Sequence, residues 1–141
     1  MGIDGLPKAE FGFPGPVRDA LIKAILDGEK TATASLLLEY GPNTADPLPE
    51  PGRRAVVIDS GERPVAVIET TGFDILRFDE IGIEFARDEG EGFESVDDWS
   101  REHIRFWESD EMRTALGRPD FRISDDTLVV TERFRLIEIL P

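Results

Sequence analysis

The stretch Ala55-Val56-Val57-Ile58-Asp59-Ser60-Gly61-Glu62-Arg63-Pro64-Val65-Ala66-Val67-Ile68 decides how this chain folds. Ala55 to Asp59 is a run of β-branched and aliphatic residues. Ser60 to Arg63 is a short turn, and a longer run continues from Pro64 to Ile75. Two such runs joined by a short polar connection predict a β-hairpin. Upstream, Thr31 to Leu38 has strand composition. Downstream, Thr127 to Ile139 reads as a last strand centred on Leu128-Val129-Val130. Strands that cluster with short links pair antiparallel. The expected class is therefore α+β, a small and mostly antiparallel β-barrel flanked by helices. A doubly wound parallel sheet needs regular alternation of strand and helix, which this chain lacks.

The helices fall on either side of the hairpin. Pro16 suits a first helical position, since its missing N–H would be unpaired there anyway. Val17, Leu21, Ala24 and Ile25 then recur at helical spacing, and Gly28 ends the segment. Phe78 to Arg87 reads as one or two short helical turns. Ser95 is a good N-cap, followed by Asp97 and Asp98 at the positive end of the helix dipole. The spacing predicts one helix from there to about Leu116. Residues 1–15 carry four glycines and two prolines and read as an irregular arm before a domain over residues 16–141. Gly41 to Gly52 holds four prolines and reads as a loop.

Composition limits the partners. The chain has 141 residues, a formal net charge of −14 and a pI near 4.4. Proteins that grip long nucleic acid displace counterions with many Lys and Arg residues. Here 30 acids outnumber 16 bases, so broad binding of duplex DNA is not expected. A small site for one nucleotide, one RNA loop or one modified nucleoside is compatible with the charge. There is no cysteine, which fits a reducing cytoplasm and excludes thiolate chemistry. No apolar run is long enough to span a membrane, and the N-terminus lacks the pattern of a secretory signal. No cofactor or metal is assigned, and His103 as the single histidine excludes a multi-histidine metal site.

Three segments carry groups able to do chemistry. Gly28-Glu29-Lys30-Thr31-Ala32-Thr33 places an ammonium and two hydroxyls just after a helix end. No glycine-rich loop precedes the lysine, so this is not a phosphate-binding P-loop. A desolvated lysine can act as a base and a nearby threonine as a nucleophile. The same residues are also what a helix-ending glycine, a solvated lysine and a strand start would give. Glu89-Gly90-Glu91-Gly92 brings two carboxylates into a turn whose glycines reach conformations closed to other residues. A solvated acidic loop would look the same. The third segment, Trp99 to Trp107, sets His103 among aromatics, where it reads equally as a packed side chain. Arg53 and Arg54 at a strand start are candidate phosphate contacts.

The order of these segments resembles the ASCH domain family, relatives of the PUA-like RNA-binding barrels. The family's Gly-x-Lys-x-x-Thr stands here as Gly28, Lys30 and Thr33, followed by Ala34-Ser35 and Tyr40. Pro49-Glu50-Pro51-Gly52, Ile68-Glu69-Thr70-Thr71, Phe85-Ala86-Arg87-Asp88-Glu89-Gly90-Glu91-Gly92, Trp99 and His103 follow in family order. The resemblance spans roughly residues 16–140. It implies binding of RNA or a nucleoside in a cleft lined by the Gly-x-Lys-x-x-Thr segment. Bacterial relatives include a hydrolase of acetylcytidine and a ribonuclease. By that likeness Lys30 would be the base, Thr33 the nucleophile and Glu89 the orienting or proton-carrying acid. Gly28, Thr31, Arg53, Glu69, Glu91 and His103 would be ligand contacts. Phe93 departs from relatives that carry an acid after Glu-Gly-Glu-Gly, and the chain is longer than the amidohydrolase branch.

Three readings follow. The chain hydrolyses a nucleoside amide or an RNA phosphodiester, or it binds such a ligand without turnover, or it is a protein-interaction module. Hydrolysis predicts that Lys30, Thr33 and Glu89 converge within hydrogen-bond reach.

Overall fold

The computed structural model describes residues 3–40 and 48–141. The expected loop at Gly41 to Gly52 lies partly outside these residues, and the described part, Leu48 to Gly52, has no regular structure beyond a turn. Helix α1 spans Pro16–Leu26. It ends because Gly28 takes φ +80°, which lets the amides of Glu29 and Lys30 both turn back onto the Ala24 carbonyl at 2.9 and 3.0 Å.

The strands are β1 Lys8–Ala9, β2 Ala32–Leu36, β3 Arg54–Ile58, β4 Pro64–Arg77 and β5 Leu128–Ile139. They form one sheet in the order β1-β3-β4-β5-β2. Only β1 and β3 run parallel; the other pairings are antiparallel. In the β3–β4 hairpin, Asp59 Oδ1 accepts from the amides of Gly61 and Arg63 at 2.9 and 2.8 Å, which fixes the turn.

The α+β class and the mostly antiparallel sheet are as expected. Closure into a barrel is not: β1 and β2 remain edges among the described residues. The pairing explains this. β3 pairs with residues 64–69 of β4, whereas β2 pairs with residues 129–133 of β5, which themselves face residues 72–76 of β4. The two edges therefore sit at opposite ends of the long β4–β5 ribbon and do not meet. That ribbon carries two irregularities. Ile137 is the extra residue opposite Val67/Ile68, and Thr71 the extra residue opposite Phe134/Arg133.

Two apolar clusters cover the sheet. One joins Phe11, Ile22 and Ile25 to Val57, Ala66, Ile68 and Phe134, so it docks α1 and the N-terminal segment. Within that segment the buried Arg18 guanidinium donates to the Gly12 carbonyl at 2.8 Å. The other cluster packs α2 (Ile83–Asp88), α3 (Val96–Trp107) and α4 (Asp110–Leu116) against β2 and the start of β5. The single helix expected from Ser95 to Leu116 is thus two. Ser95 caps α3 by accepting from the Asp98 amide at 3.1 Å. Ser109 breaks the run: its hydroxyl donates to the Phe106 carbonyl and accepts from the Met112 amide, ending one helix and starting the next. The expected strand from Thr31 to Leu38 is also shorter, since Leu37–Glu39 form a 3-10 turn.

Candidate functional site

Lys30 follows the α1 turn directly and its side chain is buried. A buried ammonium needs an acceptor for each of its three N–H groups. Nζ has them: the Ala32 carbonyl at 2.9 Å, the Glu89 carbonyl at 3.2 Å and Glu91 Oε2 at 3.4 Å. The ring of Phe11 lies 6.0 Å away, at the limit of a useful cation–π contact.

The Glu-Gly-Glu-Gly turn is locked onto this segment. Gly90 takes φ +69°, and a Cβ there would sit 2.4 Å from the Glu29 carbonyl oxygen. Only glycine allows so close an approach. Beside it the Thr31 amide donates to the Asp88 carbonyl at 2.8 Å, and Arg133 pairs with the Asp88 carboxylate at 2.5 Å. Two segments about sixty residues apart therefore share one wall.

Glu89, at the end of α2, is 1% exposed. His103 Nε2 lies 3.0 Å from Glu89 Oε2. Among the described residues, His103 and the Glu91 carboxyl are the side chains that reach the Glu89 carboxylate. His103 Nδ1 is 2.8 Å from the Trp99 carbonyl, which is acceptor only, so Nδ1 carries a proton and Nε2 faces Glu89. The imidazole is stacked on Trp99 at 4.0 Å and meets the edge of Trp107 at 5.0 Å. The indole N–H of Trp99 is buried without a partner among the described residues.

Burial alone would push the His103 imidazolium toward the neutral form. The Glu89 contact and charge, with the Trp99 carbonyl, reverse this and hold its pKa above the usual histidine value. Burial likewise works against the Glu89 carboxylate, but His103 and Lys30 outweigh it and hold its pKa below the usual value. Glu91 goes the other way. Burial raises it, the charge of Glu89 adds to the rise, and the pull of Lys30 does not cancel them. The result is an inner ion pair, Glu89 with His103, behind the Glu91 carboxyl. Glu91 is the acid of the two that reaches the surface, with its side chain 30% exposed.

Not all expected site residues gather here. Lys30, Glu89, Glu91 and His103 do, while Gly28 and Thr31 shape the backbone around them. Thr33 lies on β2 as the cross-strand partner of Glu132 and makes no side-chain hydrogen bond among the described residues. Arg53 donates to the Leu48 carbonyl and to Glu50. Glu69 is bound between Arg54 and Arg135 on the sheet, and their hydrogen bonds hold its pKa below the usual value. Two shallow hollows, at Asp110–Pro119 and around Leu37, Phe121 and Leu128, share no residue with the cluster. Trp99 stood among the aromatics of the third segment. Glu132 was not singled out, although a carboxylate between Val130 and Phe134 breaks an apolar row and is a visible signal.

A family model described as ASCH domain matches residues 9–138. No curated protein matches the chain. Two crystal structures are similar at 27% identity. A protein from Enterococcus faecalis V583, described under the family model DUF984, superposes with a TM-score of 0.80 over 94% of this chain and 77% of that one. An ASCH domain from Lactobacillus crispatus JV V101 gives 0.78 over 93% of this chain and 79% of that one. A hypothetical protein at 18% identity and a TM-score of 0.53 shares the fold. Among the described residues, no helix is long and apolar enough to cross a membrane. With nearly its whole length matched by the family model, the chain belongs to the ASCH domain family.

Proposed function

We propose that this chain binds a nucleoside, free or as one unstacked base of an RNA strand, at the mouth of the Lys30–Glu89–Glu91–His103 cluster. One observation carries the reading: a fully buried carboxylate, ion-paired with His103 and beside Lys30, behind a surface-reaching carboxyl. Buried charged groups whose titration is shifted by specific partners concentrate at binding and catalytic sites. The Glu91 carboxyl, held by Lys30 and reaching the surface, offers acceptor oxygens to the N–H groups of a nucleobase edge. Family membership carries the same expectation of RNA or nucleoside binding. The net charge of −14 favours an uncharged ligand over a long phosphate backbone.

Lys30 supports recognition more than hydrolysis. Its three donors already have acceptors, so it holds Glu91 and the turn in place. A base at this position would first have to release them. Thr33 makes no hydrogen bond to it.

Calorimetric titration with the four ribonucleosides and a short single-stranded RNA tests the reading. We expect binding of at least one, weakened about tenfold by Glu91→Gln, roughly the 1.4 kcal/mol of one good polar contact. No heat with any of the panel sinks it. Chromatography after incubation with acetylcytidine and the RNA is the parallel assay. Product formed by pure protein would return Lys30 and Thr33 to catalytic roles.

A further inference from the structure

A second polar group lies one strand further into the sheet. Glu132 is on β5, between β4 and β2, and its side chain shares a face with Val130 and Phe134 two residues either way. Those neighbours are 0% and 4% exposed. A carboxyl in such a row is costly to desolvate, and burial raises its pKa despite the Thr70 hydrogen bond and the charge of Arg53.

The register shows what surrounds it. Thr33 is its direct partner on β2, and Phe73 its direct partner on β4. Opposed residues of antiparallel strands project to the same face. The bulge at Thr71 is essential here. Thr70 and Phe73 would point to opposite faces of a regular strand, but the extra residue puts both on the face of Glu132. Thr70 Oγ1 accordingly donates to Glu132 Oε2 at 2.6 Å. Glu132 Oε1 has no such bond, and the Thr33 hydroxyl has none among the described residues. Phe73 is half-buried yet packs into neither apolar cluster. One carboxyl oxygen, one hydroxyl and one aromatic face are thus uncommitted in a single cross-strand row. Thr33 follows Lys30 by three residues, so the Thr33 end of the row lies within about 10 Å of Lys30 along the chain.

We infer that Glu132, Thr33 and Phe73 form a sugar subsite that takes the ribose of a ribonucleoside, Glu132 accepting from its vicinal hydroxyls. A carboxylate is the acceptor other folds use for ribose hydroxyls, and the 2′-hydroxyl is what separates ribose from deoxyribose. Thr70 fixes the carboxyl rotamer, Thr33 supplies a further hydrogen bond, and Phe73 packs against the sugar or the base edge. The inference rests on the nucleoside reading above and adds its sugar selectivity.

The test compares affinities for a ribonucleoside and its 2′-deoxy counterpart, in the full chain and in Glu132→Gln and Thr33→Val. Melting curves confirm that each variant folds. We expect the full chain to prefer the ribonucleoside about tenfold. Glu132→Gln brings the ratio near one by weakening the ribonucleoside more than the deoxynucleoside. Thr33→Val, on an edge strand where it disturbs little, reduces the ratio severalfold. Equal affinity for both sugars in the full chain, or an unchanged ratio in Glu132→Gln, overturns the subsite while leaving base binding intact. Binding of neither nucleoside overturns the nucleoside reading and this inference with it.

Discussion

Gly90 sits so close to Lys30 that a Cβ on the glycine would lie 2.6 Å from the lysine Cα. The contact is backbone to backbone, so no side chain can swing aside to relieve it. It also occurs at φ +69°, where L residues are strained. Gly90→Ala is expected to cost at least about 2 kcal/mol. Gly92→Ala is the control. Its φ is +84° but nothing lies within 4 Å of the added carbon, so only backbone strain of about 1 kcal/mol applies. Thermal melting should place the Gly90 variant clearly below the Gly92 variant. Equal melting temperatures would mean that the turn does not press on the lysine segment.

Removing the ammonium should hurt more than removing an ordinary surface charge. Lys30→Met keeps the length of the side chain and its apolar stem. It leaves the Ala32 and Glu89 carbonyls and Glu91 without their shared donor. Breaking a buried charged contact on one side costs about 3 kcal/mol. Lys23→Met, at a solvent-exposed pair with Asp27, should barely move the midpoint. Denaturant midpoints for the two variants measure the difference.

Stability should peak on the mildly acidic side of neutral. His103 has a raised pKa in the folded state, so its contribution is complete below the unfolded value of about 6.5 and is lost as pH rises through the folded value. Glu89 is lowered, so its contribution is complete above about 4.5 and is lost as pH falls through its folded value. Glu91 and Glu132 are both raised, so each loses its contribution as pH rises from about 4.5 through its folded value. Denaturation at a series of pH values should show decline on both sides. His103→Gln should flatten the part of the decline above about 6.5, which is the interval its own titration governs. A wild-type curve level from pH 6 to 9 would count against a charged His103.

Some of this was legible before the fold was known, and the reasons differ by element. The α1 boundaries could be read because proline and glycine act on their own backbone. The hairpin and the Ser95 cap were legible for the same local reason. The meeting of Lys30 with Glu89 and Glu91 came only from the order of family motifs, since no local rule joins segments so far apart. The break at Ser109 was missed because serine is tolerated inside helices until its hydroxyl caps a new one. Sheet closure was overestimated because the pairing offset between β2 and β3 is set by tertiary packing. The Glu132 row stayed hidden because its facing residues depend on a bulge.

That bulge supplies the last prediction. Thr71 is exposed and has no residue opposite it on β5, so its side chain contributes little and Thr71→Ala should melt within a few degrees of the wild type. Deleting the residue removes the bulge without turning any side chain over. Thr70 and Phe73 would then stand two apart, so regular alternation keeps both on the face of Glu132, and the pairs of Gly72 with Arg133 and Phe73 with Glu132 persist. Leu76 keeps its place against the larger apolar cluster. What is lost is the local bend and extra twist that a bulge gives its strand. The deletion variant should therefore still melt cooperatively, below Thr71→Ala by the cost of flattening the ribbon. A deletion variant that fails to fold would show that the helices pack against the bend itself and not only against the residues that face them.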